Sequence, residues 1–122
     1  MKEELITFET ANLAKEKGFD VEVRDYYKNS SPNNLMKHKI YMNFNKYINL
    51  CVSAPTQTLL QKFLWEKYSI WVQSTPIFSS NECIGVTVTI SSWKFPVIQV
   101  NYQGFDVYEG LEKGLQEALK LV

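Results

Sequence analysis

The stretch IGVTVTIS, residues 84–91, alternates strictly between two kinds of side chain. The apolar positions are Ile84, Val86, Val88 and Ile90. Thr87 and Thr89 lie between them and face the other way. Because successive side chains of a β-strand point to opposite faces, this alternation predicts a strand with one buried face. We therefore expect a sheet whose inner face is covered by other parts of the chain.

A second strand is predicted before this one, in the stretch SIWVQ at about residues 69–74. Ile70 and Val72 share one face, and Trp71 and Gln73 share the other. The apolar pair belongs on the same inner face as the valines of the central strand. The prediction thus places one tryptophan on the outer face.

A third strand is predicted after the turn SSWKFP, in the run VIQVNY at about residues 97–102. Its inward positions are Ile98, Val100 and Tyr102. Pro96 has no backbone N–H to donate to a ladder, so this strand begins beside it or lies at an edge. The loops between the three strands are too short for crossover helices, which predicts antiparallel pairing.

Two helices flank the predicted strands. Residues 55–67 carry an apolar stripe at helical spacing, and Pro55 suits the first turn of that helix. The stripe consists of Leu59, Leu60, Phe63 and Leu64. The segment FDVYEGLEKGLQEALKLV predicts a second helix over about 107–121, because Asp106 and Glu109 have the spacing of a capping box. Gly110 and Gly114 each cost this helix roughly 1 kcal/mol relative to alanine. Either they let another element approach closely or the helix tolerates the loss.

The N-terminal half gives weaker signals. Thr7 suits the cap of a helix over about 7–17, and Gly18 suits the left-handed residue that ends it. Residues 20–53 show no clean period and are rich in asparagine, so we predict an irregular segment. Because so long a structureless stretch is uncommon in a compact domain, it is either functional or contains an element that the pattern does not reveal. With 122 residues, the chain is predicted to form a single domain, 1–122. The fold class is α+β, with a three-stranded antiparallel sheet and helices packed in two layers.

Composition and charge limit the classes of function. The formal net charge is zero, so the molecule as a whole has no general attraction to nucleic acid or anionic lipid. The start MKEELITFET is acidic and lacks the apolar run of a signal peptide, and no stretch reaches the ~20 apolar residues of a membrane helix. Cys51, Cys83 and one histidine cannot supply a four-ligand zinc site. We expect a cytoplasmic protein with reduced thiols, no metal and no cofactor.

Catalytic patterns are also missing. His38 is the only histidine and lies between two lysines, in a stretch without the signal of a rigid helix or strand. The carboxylates Glu109 and Glu112 fall at a helix N-terminus, where negative charge is stabilising, so a structural role is favoured. No phosphate-binding loop, dinucleotide-binding, zinc-protease or EF-hand spacing occurs. We predict that the chain is not an enzyme and has no catalytic residues.

Two segments, CVSAPTQTLLQKFLWEKYSIWV and FDVYEGLEKGLQEALKLV, resemble a family of short, uncharacterised proteins of gut anaerobic bacteria and their phages. The family features are a helix start SAPTQxLLQxWL and a final helix FDxYEEALExGLxEALKL, and LAKEKGF near the N-terminus also fits. The resemblance implies a phage or mobile-element setting. This chain has Phe63 where the family usually has tryptophan, and Trp65 where it usually has arginine. Trp71 also occupies a position that is commonly polar.

The two tryptophans face away from the predicted core. On the helical wheel of residues 55–67, Trp65 points away from the apolar stripe and lies beside Lys62. Trp71 shares its strand face with Gln73. One interpretation is that residues 20–53 fold over both rings. The other is an exposed apolar patch, the usual mark of a protein contact. In that case Trp65, Trp71, Lys62 and Gln73 bind a protein partner, and a homo-oligomer is the simplest case because one patch serves both copies.

The alternative function is nucleic-acid binding by the segment 28–47. Its candidate residues are Lys28, Lys37, Lys39, Lys46 and Tyr41. Bases stack on aromatic rings and lysines bind phosphates, so this composition suits a single-strand binder. The competing interpretation places the lysines on a solvated loop and the aromatic rings on the core. The main prediction is therefore a non-catalytic protein-interaction or self-associating module, and the alternative is a nucleic-acid-binding accessory protein.

Overall fold

The computed structural model describes residues 4–47 and 50–122, without the side chains of residues 31–33. The strands are β1 (Val23–Lys28), β2 (Ser31–Met42), β3 (Cys51–Ser53), β4 (Trp71–Ser79), β5 (Glu82–Ser92) and β6 (Phe95–Val100). The helices are α1 (Phe8–Glu16), α2 (Gln57–Tyr68) and α3 (Val107–Lys120), with a short 3₁₀ helix at Phe44–Lys46. The predicted α+β fold class is confirmed. No helix within the described ranges is long and apolar enough to cross a membrane.

The chain divides into two compact units, Met1–Leu59 and Leu60–Val122. Each contains one three-stranded antiparallel sheet, in the orders β2–β1–β3 and β4–β5–β6. The sequence predicted only the second of these sheets. A single domain over the whole chain stays a prediction.

The prediction that residues 20–53 are irregular is wrong. Within the described part of this segment, β1 pairs with both β2 and β3. Between the pairs Val23–Met42 and Asp25–Lys37, β1 advances by two residues and β2 by five. The extra residues of β2 form a bulge, which breaks the two-residue alternation on which a strand prediction depends. For that reason the strands left no clean period in the sequence.

An asparagine side chain connects the parts of the first unit. Asn45 Nδ2 donates to the carbonyl oxygen of Phe19 at 2.9 Å, and Asn45 Oδ1 accepts from the Ser53 N–H at 2.8 Å. Ser53 Oγ in turn accepts from the Phe44 N–H at 3.1 Å. Backbone groups without a ladder partner are therefore paired by side chains.

Helix α1 confirms its predicted caps. The Thr7 hydroxyl accepts from the Thr10 N–H, and Gly18 takes a left-handed φ of 84° after the last turn. The Phe19 N–H donates to the Ala14 carbonyl at 3.0 Å, as in a Schellman motif. The predicted turn residue and the helix end thus agree with the structure.

Helix α2 begins two residues later than predicted. Thr56 Oγ1 accepts from the Leu59 N–H at 3.1 Å and acts as the N-cap, so Pro55 precedes the helix instead of occupying its first turn. At the other end, Ser69 has a left-handed φ of 57°. Its N–H donates to the Trp65 carbonyl at 3.0 Å, which closes the last turn.

The second unit is a two-layer arrangement of the sheet β4–β5–β6 and α3. The Asp106 carboxylate accepts from two backbone N–H groups of the first turn of α3, as the predicted N-cap requires. A Cβ atom on Gly114 would lie 2.6 Å from Val88 Cγ1 and 2.8 Å from Val72 Cγ1. A Cβ atom on Gly110 would have looser but still tight contacts of 3.1 Å. The glycines therefore permit close approach of α3 to the sheet, which answers the question that the sequence left open.

The inner face of this sheet matches the alternation with two exceptions. Val72, Val88 and Ile90 are buried as predicted, but Ile84 is 54% exposed. The pairs Ile77–Gly85 and Phe78–Cys83 leave Ile84 without a partner, at a bulge near the hairpin turn. Tyr102 lies beyond the end of β6 at Val100, so it is not a strand residue.

Candidate functional site

Trp65 reaches the surface because α2 is amphipathic in the way its sequence predicts. Leu60 and Leu64 are completely buried, whereas Trp65 on the opposite side of the helix is 51% exposed. Gln61 Nε2 donates to the carbonyl oxygen of Val72 at 2.7 Å. This bond attaches α2 to the edge strand β4 at the point where that strand carries the second tryptophan.

Trp71 is the first residue of β4 and lies between two fully packed neighbours. Ile70 and Val72 are buried, and Trp71 is 39% exposed on the other face of the sheet. Its partner across the ladder is Ser91 of the central strand. The predicted orientation of Trp71 is therefore confirmed, and the register brings a hydroxyl-bearing residue beside it.

Trp93 comes from the tight turn between β5 and β6 and is 80% exposed. The turn is stabilised by Ser92 Oγ, which accepts from the Lys94 N–H at 3.2 Å. Lys94 Nζ donates to the carbonyl oxygen of Tyr68 at 3.4 Å. Since Tyr68 is the last residue of α2, this contact brings the turn next to the end of the helix that carries Trp65.

These three side chains line one groove together with Ser91 and Ser92. We call it the tryptophan groove; its volume is about 430 Å³. That volume falls in the range of about 300–1,000 Å³ typical of ligand sites. All three tryptophans of the chain are present in it. Its walls are aromatic, and its lining side chains carry only indole N–H groups and serine hydroxyls as polar groups.

A lysine lies at the rim of the groove. Lys94 Nζ lies 5.8 Å from the centre of the Trp93 ring, within the range of a cation–π contact. Among the residues described, Lys94 forms no ion pair with a carboxylate. Its ammonium group is thus available to an anionic group on a bound molecule.

The structure brings Trp65 and Trp71 together but leaves the other two predicted partner-binding residues outside the groove lining. Lys62 forms an exposed ion pair with Glu66 at 3.9 Å on α2. Gln73 Nε2 donates to Thr75 Oγ1 at 3.0 Å on the outer face of β4. They can contribute only to the surroundings of the groove.

Sequence reasoning missed Trp93, Ser91 and Ser92. Ser91 was accessible to prediction, because it follows the inward Ile90 and must face the same side as Trp71 if the strands pair. An indole in the polar turn SSWKFP was a second signal, since tryptophan is seldom placed in a turn without a contact to make. The strand register that unites them was not available from the periodicity.

The candidate nucleic-acid residues are spread over the first unit. Lys37, Lys39 and Tyr41 are all exposed on β2, an edge strand of its sheet. The Arg24 guanidinium lies 5.7 Å from the centre of the Tyr41 ring, and Arg24 Nε donates to a carbonyl of β2. Lys28 is at the end of β1, and Lys46 belongs to the 3₁₀ helix. The structure therefore brings three of the five residues onto one strand.

The remaining reactive side chains are those of His38, Cys51 and Cys83. His38 Nδ1 accepts from the Ile40 N–H at 3.2 Å, and its ring meets Phe44 edge-on. Burial raises the pKa of the Cys51 thiol above its ordinary value, and the Lys15 ammonium opposes that shift. Cys83 is a half-buried free thiol. In the described ranges, no three His, Cys, Asp or Glu residues form a group that could hold a metal.

Comparisons with known proteins give no indication of function, so the geometry of the groove is the basis for a proposal. The chain matches no family model, no curated protein and no solved structure. The resemblance to proteins of gut bacteria and their phages stays a prediction.

Proposed function

We propose that this protein is a non-catalytic interaction module that binds a protein partner, or a second copy of itself, through the tryptophan groove. One observation carries the proposal: every tryptophan of the chain is exposed around a single groove. Burying an aromatic ring is among the largest single gains available to a folding chain, so three exposed rings in one place are unusual. Contiguous exposed apolar surface of this kind marks interaction sites, and tryptophan is enriched at their energetic centres.

The exposed area of the three rings limits the binding free energy that the groove can contribute. At about 150–250 Å² per aromatic side chain, the exposed fractions of the three rings amount to about 250–430 Å². Burying that area is worth about 6–11 kcal/mol at ~25 cal/mol/Å². Association costs about 4–15 kcal/mol of free energy. Because burial of the indoles only about balances this cost, contacts with polar neighbours decide the affinity. Lys62, one turn from Trp65, and Gln73, on the same strand face as Trp71, are placed to supply such a polar rim.

The test replaces one groove residue and one control residue. Trp93→Ala removes the most exposed ring, and Phe105→Ala removes an exposed ring, 69% accessible, that does not line the groove. We expect Trp93→Ala to weaken self-association or partner capture at least about tenfold, which corresponds to ~1.4 kcal/mol, while Phe105→Ala leaves both unchanged. Sedimentation equilibrium and affinity capture from bacterial extract give the two readouts.

The same two variants show whether a loss of binding reflects unfolding. Because Trp93 is 80% exposed, its replacement is expected to change the free energy of unfolding by no more than about 0.5 kcal/mol. Urea titration followed by circular dichroism measures that change. If Trp93→Ala remains folded and binds like the Phe105→Ala control, the proposed function is wrong.

Nucleic-acid binding is the second candidate, favoured by the exposed Lys37, Lys39 and Tyr41 on one edge strand. Such a site predicts retention on heparin and binding to single-stranded oligonucleotides, with an affinity that falls as salt rises. The double variant Lys37→Ala/Lys39→Ala should lose retention. A matched double variant, Lys113→Ala/Lys120→Ala on α3, should keep it. Elution of the wild type in the flow-through at low salt would contradict this candidate.

The cellular setting belongs to the proposal as well. We place the protein in the cytoplasm of a gut bacterium, in a phage or mobile-element context, and the support is the resemblance of the segments around α2 and α3. The expected observation is a gene flanked by phage or transfer genes. A position inside an operon of housekeeping genes would contradict it.

A further inference from the structure

We propose that the occupant of the tryptophan groove is a short proline-rich segment of another protein, in polyproline II conformation, with an acidic residue beside its prolines. This inference rests on the proposed function and names the chemistry of the partner. Five properties of the described residues support it: the hydrogen-bonding character of the groove, its aromatic walls, the state of the neighbouring sheet edge, the exposed area and the charge at the rim.

The hydrogen-bonding groups of the groove complement such a segment. Within the part of the chain that the structure describes, the indole N–H groups of Trp65, Trp71 and Trp93 make no hydrogen bond, and an indole N–H can only donate. The hydroxyls of Ser91 and Ser92 can donate as well. A polyproline II segment forms no internal hydrogen bonds, and its prolines have carbonyl acceptors but no N–H. Donors on the groove therefore face acceptors on the segment.

The aromatic walls suit proline for a second reason. Proline-rich segments dock in aromatic-lined grooves because their rings are apolar and their backbone is already ordered before binding. Little conformational entropy is lost on binding, so a small contact area can suffice. Three indoles around a groove of about 430 Å³ provide such walls.

The sheet edge beside the groove has one backbone acceptor already in use, which disfavours the other common mode of peptide binding at that point. β4 is an edge strand, and an added strand would need its outward backbone groups. The carbonyl oxygen of Val72, the residue after Trp71, is already occupied by Gln61 Nε2 at 2.7 Å. Addition of a strand beside Val72 would compete with this bond, which favours a segment that binds the groove through side chains.

The exposed area favours a short segment over a second copy of the chain. The three rings expose about 250–430 Å², whereas a stable interface buries about 800 Å² on each partner. The chain also contains only four prolines, namely Pro32, Pro55, Pro76 and Pro96. They lie about twenty positions apart, so another copy offers no proline-rich segment.

The acidic residue is inferred from Lys94. Its ammonium lies 5.8 Å from the Trp93 ring centre at the rim of the groove and forms no ion pair among the described residues. A carboxylate beside the prolines would pair with it. A segment with a basic residue at that place would be repelled.

The experiment titrates the full chain with three synthetic ten-residue peptides. The first repeats proline–proline–leucine–proline and ends in glutamate, the second ends in lysine, and the third has alanine in place of every proline and ends in glutamate. Because all three tryptophans line the groove, fluorescence excited at the indole band and the indole N–H resonances report on that site without background. We expect the first peptide to shift these signals with saturation and to bind at least about tenfold tighter than the alanine peptide.

Two variants locate the interaction. Trp65→Phe should weaken binding of the first peptide severalfold, since it keeps an aromatic wall but removes one N–H donor. Lys94→Glu should reverse the preference between the glutamate and lysine peptides, which a merely structural role of Lys94 would not do. Phe105→Ala is the matched control and should bind like the wild type.

The outcomes separate this inference from the proposed function. Absence of any saturable indole shift with the proline peptides overturns the inference. If the wild type then still self-associates or captures a protein in a manner that Trp93→Ala abolishes, the proposed function stands without it. Equal binding of the proline and alanine peptides also overturns the inference, because the groove would then accept any extended chain.

Discussion

The sheet β4–β5–β6 has nearly continuous pairing, with one bulge in each ladder, whereas β1 and β2 of the other sheet pair across an excursion of several residues. The regular sheet buries apolar side chains on its inner face, among them Val72, Val88 and Ile90, and the methyl groups of Val72 and Val88 lie beside the glycines of α3. The sheet β2–β1–β3 uses polar side chains as well, such as Asn45, which bonds to the backbone on two sides. Burial of apolar side chains stabilises the sheet β4–β5–β6, whereas directed hydrogen bonds from side chains also stabilise the sheet β2–β1–β3.

Because the two sheets are stabilised differently, they also present different surfaces. A sheet with one helix-covered face has a second face on which side chains are not required for folding. Trp71 and Ser91 lie on that outer face and line the groove. In the irregular sheet, Lys39 and Tyr41 lie in the part of β2 between the paired residues Lys37 and Met42, and both side chains are exposed on an edge strand.

The largest expected effect is on the helix-covered face. Ile90→Ala removes a completely buried side chain from the centre of the regular sheet and should lower the free energy of unfolding by about 2–5 kcal/mol. Urea denaturation followed by circular dichroism measures the loss. A change below about 1 kcal/mol would mean that apolar packing is not what holds this sheet.

Close helix packing is tested by Gly114→Ala. Its new Cβ would meet the Val88 and Val72 methyl groups at 2.6 and 2.8 Å, and we expect a net loss of about 2 kcal/mol from overpacking despite the better helix propensity. Gly110→Ala is the matched control. Its contacts of 3.1 Å require smaller shifts, and a helix gain of about 1 kcal/mol offsets them. Equal effects of the two variants in urea denaturation would contradict this account of α3.

Asn45→Ala tests the irregular sheet. It removes the donor to the Phe19 carbonyl and the acceptor of the Ser53 N–H, so stability should fall by about 1–2 kcal/mol. Asn45→Asp keeps an acceptor but loses the donor, so its free energy of unfolding should lie between those of the wild type and the alanine variant. Thermal and urea unfolding give the ranking. If both variants match the wild type, the side-chain bonds do not stabilise this sheet.

The smallest effect concerns the Cys51 thiol of β3. Burial raises its pKa in the folded state, so between the ordinary and the raised pKa the folded chain keeps a proton that the unfolded chain has lost. Stability contributed by the thiol is therefore complete at neutral pH and falls as pH rises above the ordinary pKa of a thiol.

The control for Cys51 is its alanine variant, measured over the same range of pH. Subtracting the two stability curves cancels the titration of lysines and tyrosines. Iodoacetamide should also react more slowly with Cys51, which is buried, than with the half-buried Cys83. Faster modification of Cys51 would contradict the raised pKa.

Prediction from sequence succeeded where a signal is local. The caps at Thr7, Gly18 and Asp106 were correct because each depends on backbone groups within a few residues. The outward orientation of Trp65 and Trp71 was also correct, since helix and strand periods determine the side of an element. Ile84 was wrongly placed inward, because a bulge is decided by how two strands pair and not by one strand alone.

The local pattern of residues was enough to predict α1, α3 and the core of β5, and the sides of their elements on which Trp65 and Trp71 lie. The tertiary structure decided that Trp93 joins the other two, because the Trp71–Ser91 register and the contact of Lys94 with the end of α2 unite elements distant in the chain. It also decided that residues with no period become strands. The physical reason is that periodicity reports the environment of one element, whereas pairing and packing depend on several elements at once.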